Sequence, residues 1–294
     1  MERRDFIKLL SLSLPVFACG CADLRHHFIK PKSVEQAPAP LDDIGKASSS
    51  PVAPVDLSND VKTKSLYFDQ NFPDDLYCPA HSKQIMDSLI TKFRAVQNYV
   101  GFGNFNLVGM DEFFFHTKYA PRITAITSAE KKFLEELYYK EAKELGFFGD
   151  KVFNSLTDNI HKKNTVKIPR SGHYLRKGKS VETYNKIVND IGNTVILTSG
   201  VRALAKQFHL FLEKTATSDG NFSKASRSLA PPGYSFHGQN DFDIGKVGFG
   251  LGNFSDDFAS TREFKVLSDL GYVDIRYKEM NNLGVRFEPW HIKI

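Results

Sequence analysis

The sequence predicts an α+β protein: an antiparallel sheet with flanking helices, preceded by a mainly helical lobe. Two observations carry this. Between residues 65 and 166, apolar residues recur at the three- and four-residue spacing of helices. After Lys167 the pattern changes to short β-branched or alternating runs with helical and turn-rich stretches between them, which is how antiparallel sheets with segregated helices are written. Composition permits a core of this size. Hydrophobic residues make up 41% of the 294 and charged residues 25%, which excludes wholesale disorder and fibrous repeats. Apolar runs stay shorter than the roughly eighteen residues of a membrane span, so a multi-span protein is excluded. The net charge of +5 is spread along the chain and suits solubility rather than nucleic-acid binding. Three cysteines are too few for a disulfide framework.

Residues 1–21 have the pattern of a bacterial export signal: a charged start, a short apolar stretch from Leu9 to Ala18, and a small-residue exit. Pro15 interrupts the apolar part. Arg3-Arg4 followed by Asp5-Phe6-Ile7-Lys8 resembles a twin-arginine signal, with Glu2 where Ser or Thr is usual. The exit, Val16 to Ala22, resembles a lipobox, and either Cys19 or Cys21 is placed to carry the lipid. The expected location is the cell envelope or periplasm, membrane-anchored as a lipoprotein. Residues 22–64 form a tether containing Pro31, Pro38, Pro40, Pro51 and Pro54. Its His26-His27 pair is a weak metal candidate. Cys78 reads as a buried small hydrophobe.

The globular part is expected from Ser65. Ile85, Met86, Leu89, Ile90, Phe93, Val96 and Val100 predict a helix over 82–100. Thr127-Ser128-Ala129-Glu130 is a capping box, opening a helix through Phe133, Leu134, Leu137, Tyr138 and Leu145 that Gly146 stops. Phe113-Phe114-Phe115 reads as core, and His81, His116, His161 and His173 as structural or surface residues. Residues 65–166 thus form a helical lobe without visible chemistry. In 167–294, Thr194–Thr198 reads as a buried strand, Arg202–Lys214 as a helix, and Tyr272–Tyr277 as an alternating strand. Val285–Phe287 and Ile292–Ile294 read as a strand pair, with His291 on a structured edge. Gly245–Gly252 lacks the spacing of a phosphate loop and reads as a mobile loop.

Chemistry concentrates in three segments. Ser199-Gly200-Val201-Arg202, with Gln207 behind it, leaves a strand and enters a helix. A cation is disfavoured at a helix start, and an arginine fork suits a carboxylate or a developing oxyanion. Pro231-Pro232-Gly233-Tyr234-Ser235-Phe236-His237 leads through a turn to Asp241 and Asp243. Imidazole and carboxylate are zinc ligands. Asp241 and Asp243 share one strand face, so either can be the ligand and the other its support. In Glu288-Pro289-Trp290-His291 the proline breaks strand regularity, which lets a bend bring Glu288 and His291 to one site. A histidine ligand beside a free carboxylate is the arrangement for metal-assisted hydrolysis.

Taken in order, Ser-Gly-x-Arg with a later Gln, Ser-x-His leading to Asp-Ile, and Glu-x-Trp-His resemble the zinc D-alanyl-D-alanine carboxypeptidases of the VanY type, in the lysostaphin-like and hedgehog-like group. The resemblance covers residues 167–294. It implies a hedgehog/D-Ala-D-Ala-peptidase-like sheet and Zn2+ bound by His237, Asp243 and His291. Asp243 is favoured because Ile244-Gly245 follows it, although it lies six positions after His237 where the family has seven; Asp241 stays as the alternative. It further implies Glu288 as general base and proton donor, Arg202 at the polarised carbonyl, and Ser235 and Gln207 in contact with the peptide. Trp290 would wall the site. The implied substrate is the peptidoglycan stem peptide, cleaved at its C-terminal amide with release of D-alanine. Endopeptidase or L,D-carboxypeptidase activity on the same site is the second expectation. A non-catalytic, zinc-stabilised envelope-binding module is the third, and it has no need of Glu288.

Overall fold

Helix α2, Lys83–Val100, is the hub of the helical part. Its Met86, Leu89, Ile90, Phe93 and Val96 are all buried, as their spacing requires. The Phe93 ring stacks on Phe113 with centroids 4.1 Å apart. Side chains of this kind each contribute about 1.5–3 kcal/mol when fully buried. The computed structural model describes residues 61–294, which belong to the second of two compact units, Ala53–Ile294. The export signal, Cys19, Cys21, His26-His27 and residues 22–60 of the tether lie outside the described residues.

Around α2 stand α3 (Phe102–Phe105), α4 (Met110–Tyr119) and α5 (Ser128–Tyr139), and α1 (Val61–Leu66) precedes them in the chain. Helix α1 begins four residues ahead of Ser65, and Lys64 donates to Asp74 at 2.5 Å. Of the phenylalanine triplet only Phe113 is fully buried, while Phe115 is exposed. Cys78 is a buried free thiol. The capping box on α5 forms as the sequence predicts: Thr127 Oγ1 accepts from Glu130 N, and Glu130 Oε2 accepts from Thr127 N. The helix nevertheless stops at Tyr139, where Lys140 turns extended, and a separate 3-10 turn, Ala142–Leu145, follows. Two cores cause the break. Leu145 packs with α2, whereas Ala142 and Phe147 join a third apolar cluster with Tyr234, Phe236 and Tyr277. Gly146, at φ 81°, closes the turn.

Strands β1 (Thr165–Lys167) and β2 (Tyr174–Arg176) form a small antiparallel pair. Helix α6 (Lys179–Ile191), strand β3 (Val195–Ser199), helices α7 (Leu204–Thr217) and α8 (Phe222–Ser226), strand β4 (Phe242–Lys246), helix α9 (Arg262–Asp269) and strands β5 (Asp274–Ile275) and β6 (His291–Lys293) complete the order. The main sheet is antiparallel, in the order β3-β4-β6-β5. Its Leu197, Ile244 and Ile292 pack with Ile187 and Ile191 of α6 and Leu267 of α9.

Strand β6 therefore lies inside the sheet, between β4 and β5, rather than at an edge. Of the run Tyr272–Tyr277 only Asp274–Ile275 pairs. Val285–Phe287 forms no strand, because Arg286 N donates to Arg227 O and its guanidinium reaches Phe254 O. Helix α7 joins the two parts. Its Leu204, Phe208, Phe211 and Leu212 belong to the same cluster as α2 and α5, while its N-terminal end continues directly from β3.

Candidate active site

Pairing across the sheet assembles the site. Ser199 of β3 pairs with Asp243 of β4, and Asp243 pairs with His291 of β6. Residues directly opposite across antiparallel strands put their side chains on one face. Three segments far apart in sequence are thereby set side by side. A register shift between Leu197 and Ser199 ends β3 at this point and releases the chain toward Arg202.

Gly200 is needed there for closeness. A Cβ would lie 2.0 Å from the Tyr174 carbonyl oxygen. Its own carbonyl accepts from His237 Nδ1 at 2.8 Å, and Arg202 N donates to His237 O at 3.1 Å. His237 sits on a 3-10 turn, Phe236–Gly238, reached through Gly233 at φ 94°. Gln207, expected against the substrate, is instead buried, and both ends of its amide are used internally. Its Nε2 donates to Arg202 O and its Oε1 accepts from Gly233 N, so it joins the arginine segment to the histidine loop. Ser235 is buried at the start of the 3-10 turn and does not line the cleft.

The bend at Pro289 forms as expected: His291 N donates to Glu288 O. His291 Nε2 donates to Asp241 Oδ2 at 3.0 Å, which leaves Nδ1 as the free lone pair. His237 is held through Nδ1, which leaves Nε2 free. His237 Nε2 is 3.2 Å from Asp243 Oδ1, and His291 Nδ1 is 3.3 Å from the same oxygen. A tetrahedral ion with bonds of about 2.0 Å separates its ligands by about 3.3 Å. His237 Nε2 and Asp243 Oδ1 are buried without a hydrogen-bond partner, as two atoms reserved for an ion would be. One ligand atom from each of His237, Asp243 and His291 lies within 4.8 Å of the other two, the one such group among the described residues. Asp241 stands behind it, held by Arg276 Nε and Ile294 N. Zinc fits this donor set of two imidazoles and a carboxylate.

The charges agree. Burial pushes the His237 imidazole down to about 4, with Arg202 adding to it, so it is neutral and able to ligate. Burial alone would raise Asp243, but His237 and Arg202 hold its carboxyl well below the usual range. Burial opposes the charge on His291, yet its bonds to Asp241 and Glu288 and the Asp243 charge lift it to about 9. Without an ion His291 therefore holds a proton at neutral pH, which a metal ion would displace on binding at Nδ1. Arg202 Nη2 donates to Asp243 Oδ2 at 2.6 Å and its Nε to Ser199 Oγ at 2.8 Å. Glu288 Oε2 lies 3.3 Å from His291 Nδ1.

A cleft of about 370 Å³ opens over Asp243 and Glu288, walled by Ser199, Arg202, Trp290 and Phe254. His173 lines it too, although the sequence places it among surface or structural histidines; burial and the Arg202 charge lower it to about 4. Arg276 and Tyr277, whose ring meets His291 edge-on at 4.8 Å, are further site residues that the sequence does not reveal. The glycine-rich stretch is pinned at its base, since Asn253 donates to Lys246 O and accepts from Lys246 N.

Two histidines and an aspartate thus lie close enough together to hold one metal ion, with Glu288 and Arg202 beside an open cleft. Residues 175–294 match the family model of VanY, D-alanyl-D-alanine carboxypeptidase. Among solved structures, the LD-carboxypeptidase LdcB is similar at 24% identity, covering 46% of this chain and 69% of that one, with a TM-score of 0.38. A mutant of the D,D-pentapeptidase VanY from the VanB-type vancomycin resistance cassette, in complex with Zn(II), is similar at 22% identity, covering 44% and 76%, with a TM-score of 0.34. VanYB in complex with D-alanine-D-alanine gives 20%, 49% and 84%, with a TM-score of 0.36. No curated protein matches the chain.

Proposed function

We propose that the chain is a zinc-dependent carboxypeptidase that hydrolyses the C-terminal amide bond of peptidoglycan stem peptides and releases D-alanine. The observation that supports this most is the spacing of His237 Nε2, Asp243 Oδ1 and His291 Nδ1 within the residues that match the VanY family model. When bound, zinc supplies a Lewis acid that polarises a carbonyl and acidifies water. Glu288 takes a proton from the attacking water as the new C–O bond forms, and returns it to the amine as the C–N bond breaks. Arg202 fixes Asp243 through one nitrogen and faces the cleft, where it offsets charge developing on the carbonyl oxygen. Trp290 closes one wall. A lipid-anchored place in the cell envelope, through Cys19 or Cys21, rests on the sequence alone.

Glu288→Ala tests the reading. Zinc content by elemental analysis is expected to remain stoichiometric, while turnover of a D-alanyl-D-alanine-terminated pentapeptide falls by about 10²–10⁴-fold. Unchanged turnover would remove Glu288 as the base. A chelator is expected to abolish wild-type turnover, and zinc to restore it.

A further inference from the structure

The cleft carries more positive charge than the proposed hydrolysis needs. Along α7, Lys206, Leu210 and Lys214 recur every fourth residue and line one wall, with Arg286 opposite. The acids lining the cleft are Asp243 and Glu288, both at the ion-binding end. Arg202 is ion-paired with Asp243. Lys206, Lys214 and Arg286 have no carboxylate within 4.0 Å among the described residues.

Their other contacts do not remove the imbalance. Lys206 Nζ donates to the neutral Gln97 Oε1 at 3.0 Å. Arg286 Nη2 donates to Phe254 O, and its ring contacts are with Phe68 and Trp290, but its Nε is buried without a partner. All three side chains are half-buried. Burial and the Arg202 charge lower Lys206 to about 8. Burial and the neighbouring cations Arg286 and Lys224 lower Lys214, with Asp69 opposing from beyond ion-pair distance. Cations held together at a cost in repulsion, in a half-desolvated cleft, are arranged for an anion that arrives with the ligand.

The spacing says what kind of anion. Lys206 lies toward Arg202 and Asp243, and Lys214 toward Arg286. Eight residues of helix separate their Cα atoms by about 12 Å, which an extended peptide spans in about three to four residues. We infer that α7 and Arg286 form a two-point carboxylate rail, selecting peptides whose terminal carboxylate meets Lys206 and whose second free carboxylate, three or four positions upstream, meets Lys214 and Arg286. This rests on the carboxypeptidase reading and adds the substrate class to it: a dianionic peptide rather than its amidated form.

Two synthetic pentapeptides ending in D-alanyl-D-alanine test the inference, one with glutamate at the second position and one with the corresponding carboxamide. The zinc-loaded full chain is expected to favour the acid about tenfold in kcat/KM, with the preference shrinking at high salt. In Lys214→Met the acid-to-amide ratio is expected to fall to about 1, and in Lys214→Arg to return toward wild type. Equal turnover of both peptides by the wild type, or a ratio unmoved by Lys214→Met, would overturn the rail while leaving the carboxypeptidase in place. Should neither peptide be cleaved, calorimetric binding to the wild type decides: tighter binding of the acid that disappears in Lys214→Met sustains the rail and removes the reaction, and equal binding removes both.

Discussion

Asp241 stands two residues from Asp243 and just outside the group of His237, Asp243 and His291. It accepts from His291 Nε2 and is itself fixed by Arg276, so it sets both the tautomer and the tilt of the imidazole. Burial would raise it, but His291 and Arg276 hold it down to about 2. It is therefore a carboxylate at neutral pH. Asp241→Asn is expected to weaken zinc binding about 10–100-fold in competition with a chelating dye, with the fold retained. Unchanged affinity would deny it this role. At this scale the sequence is half legible. His237, Asp243, Glu288 and His291 stand out because their side-chain chemistry is scarce and comes in short runs. The choice between Asp241 and Asp243 is not legible, since strand alternation puts both on one face and only pairing with Ser199 and His291 separates them. Gln207 misleads, because an amide can bind substrate or backbone equally well and its partners, Arg202 O and Gly233 N, depend on the fold.

Among the elements, α5 carries the clearest local signal and a hidden long-range one. Its capping glutamate also receives Lys92 Nζ at 2.6 and 2.5 Å and Ser88 Oγ at 2.7 Å, all from α2. The pair is buried on both sides. Removing one charge from such a pair costs about 3–5 kcal/mol, so Glu130→Gln is expected to lower stability to urea by that order at pH 7. Burial alone would raise the Glu130 carboxyl, but Lys92 and the Thr127 amide bring it below its ordinary value. Its contribution is therefore fully present above the unfolded value of about 4.3. It is lost as pH falls through the lower folded value, where wild type and variant should converge. A difference that persists there would assign the effect to packing instead. The capping box is readable because it is local. The end of α5 is not, because a second apolar cluster pulls Ala142 and Phe147 away from the helix.

In the whole molecule, residues 175–294 do not supply all of their own support. Helix α7 buries Leu204, Phe208 and Phe211 against residues from α2, α4 and α5, so the helical lobe backs the wall that faces the cleft. Residues 167–294 alone show the chemistry in the sequence, and that is why the lobe looks idle when read from motifs. Antiparallel pairing then does what no motif spells out: it brings segments around residues 199, 243 and 291 to one row and fixes which atoms converge. The most direct test is zinc K-edge X-ray absorption on the zinc-loaded full chain. Two imidazole nitrogens and oxygen ligands at about 2.0–2.1 Å are expected, with one imidazole contribution lost in His291→Ala. Sulfur at about 2.3 Å, or a first shell without imidazole, would contradict a centre built from His237, Asp243 and His291.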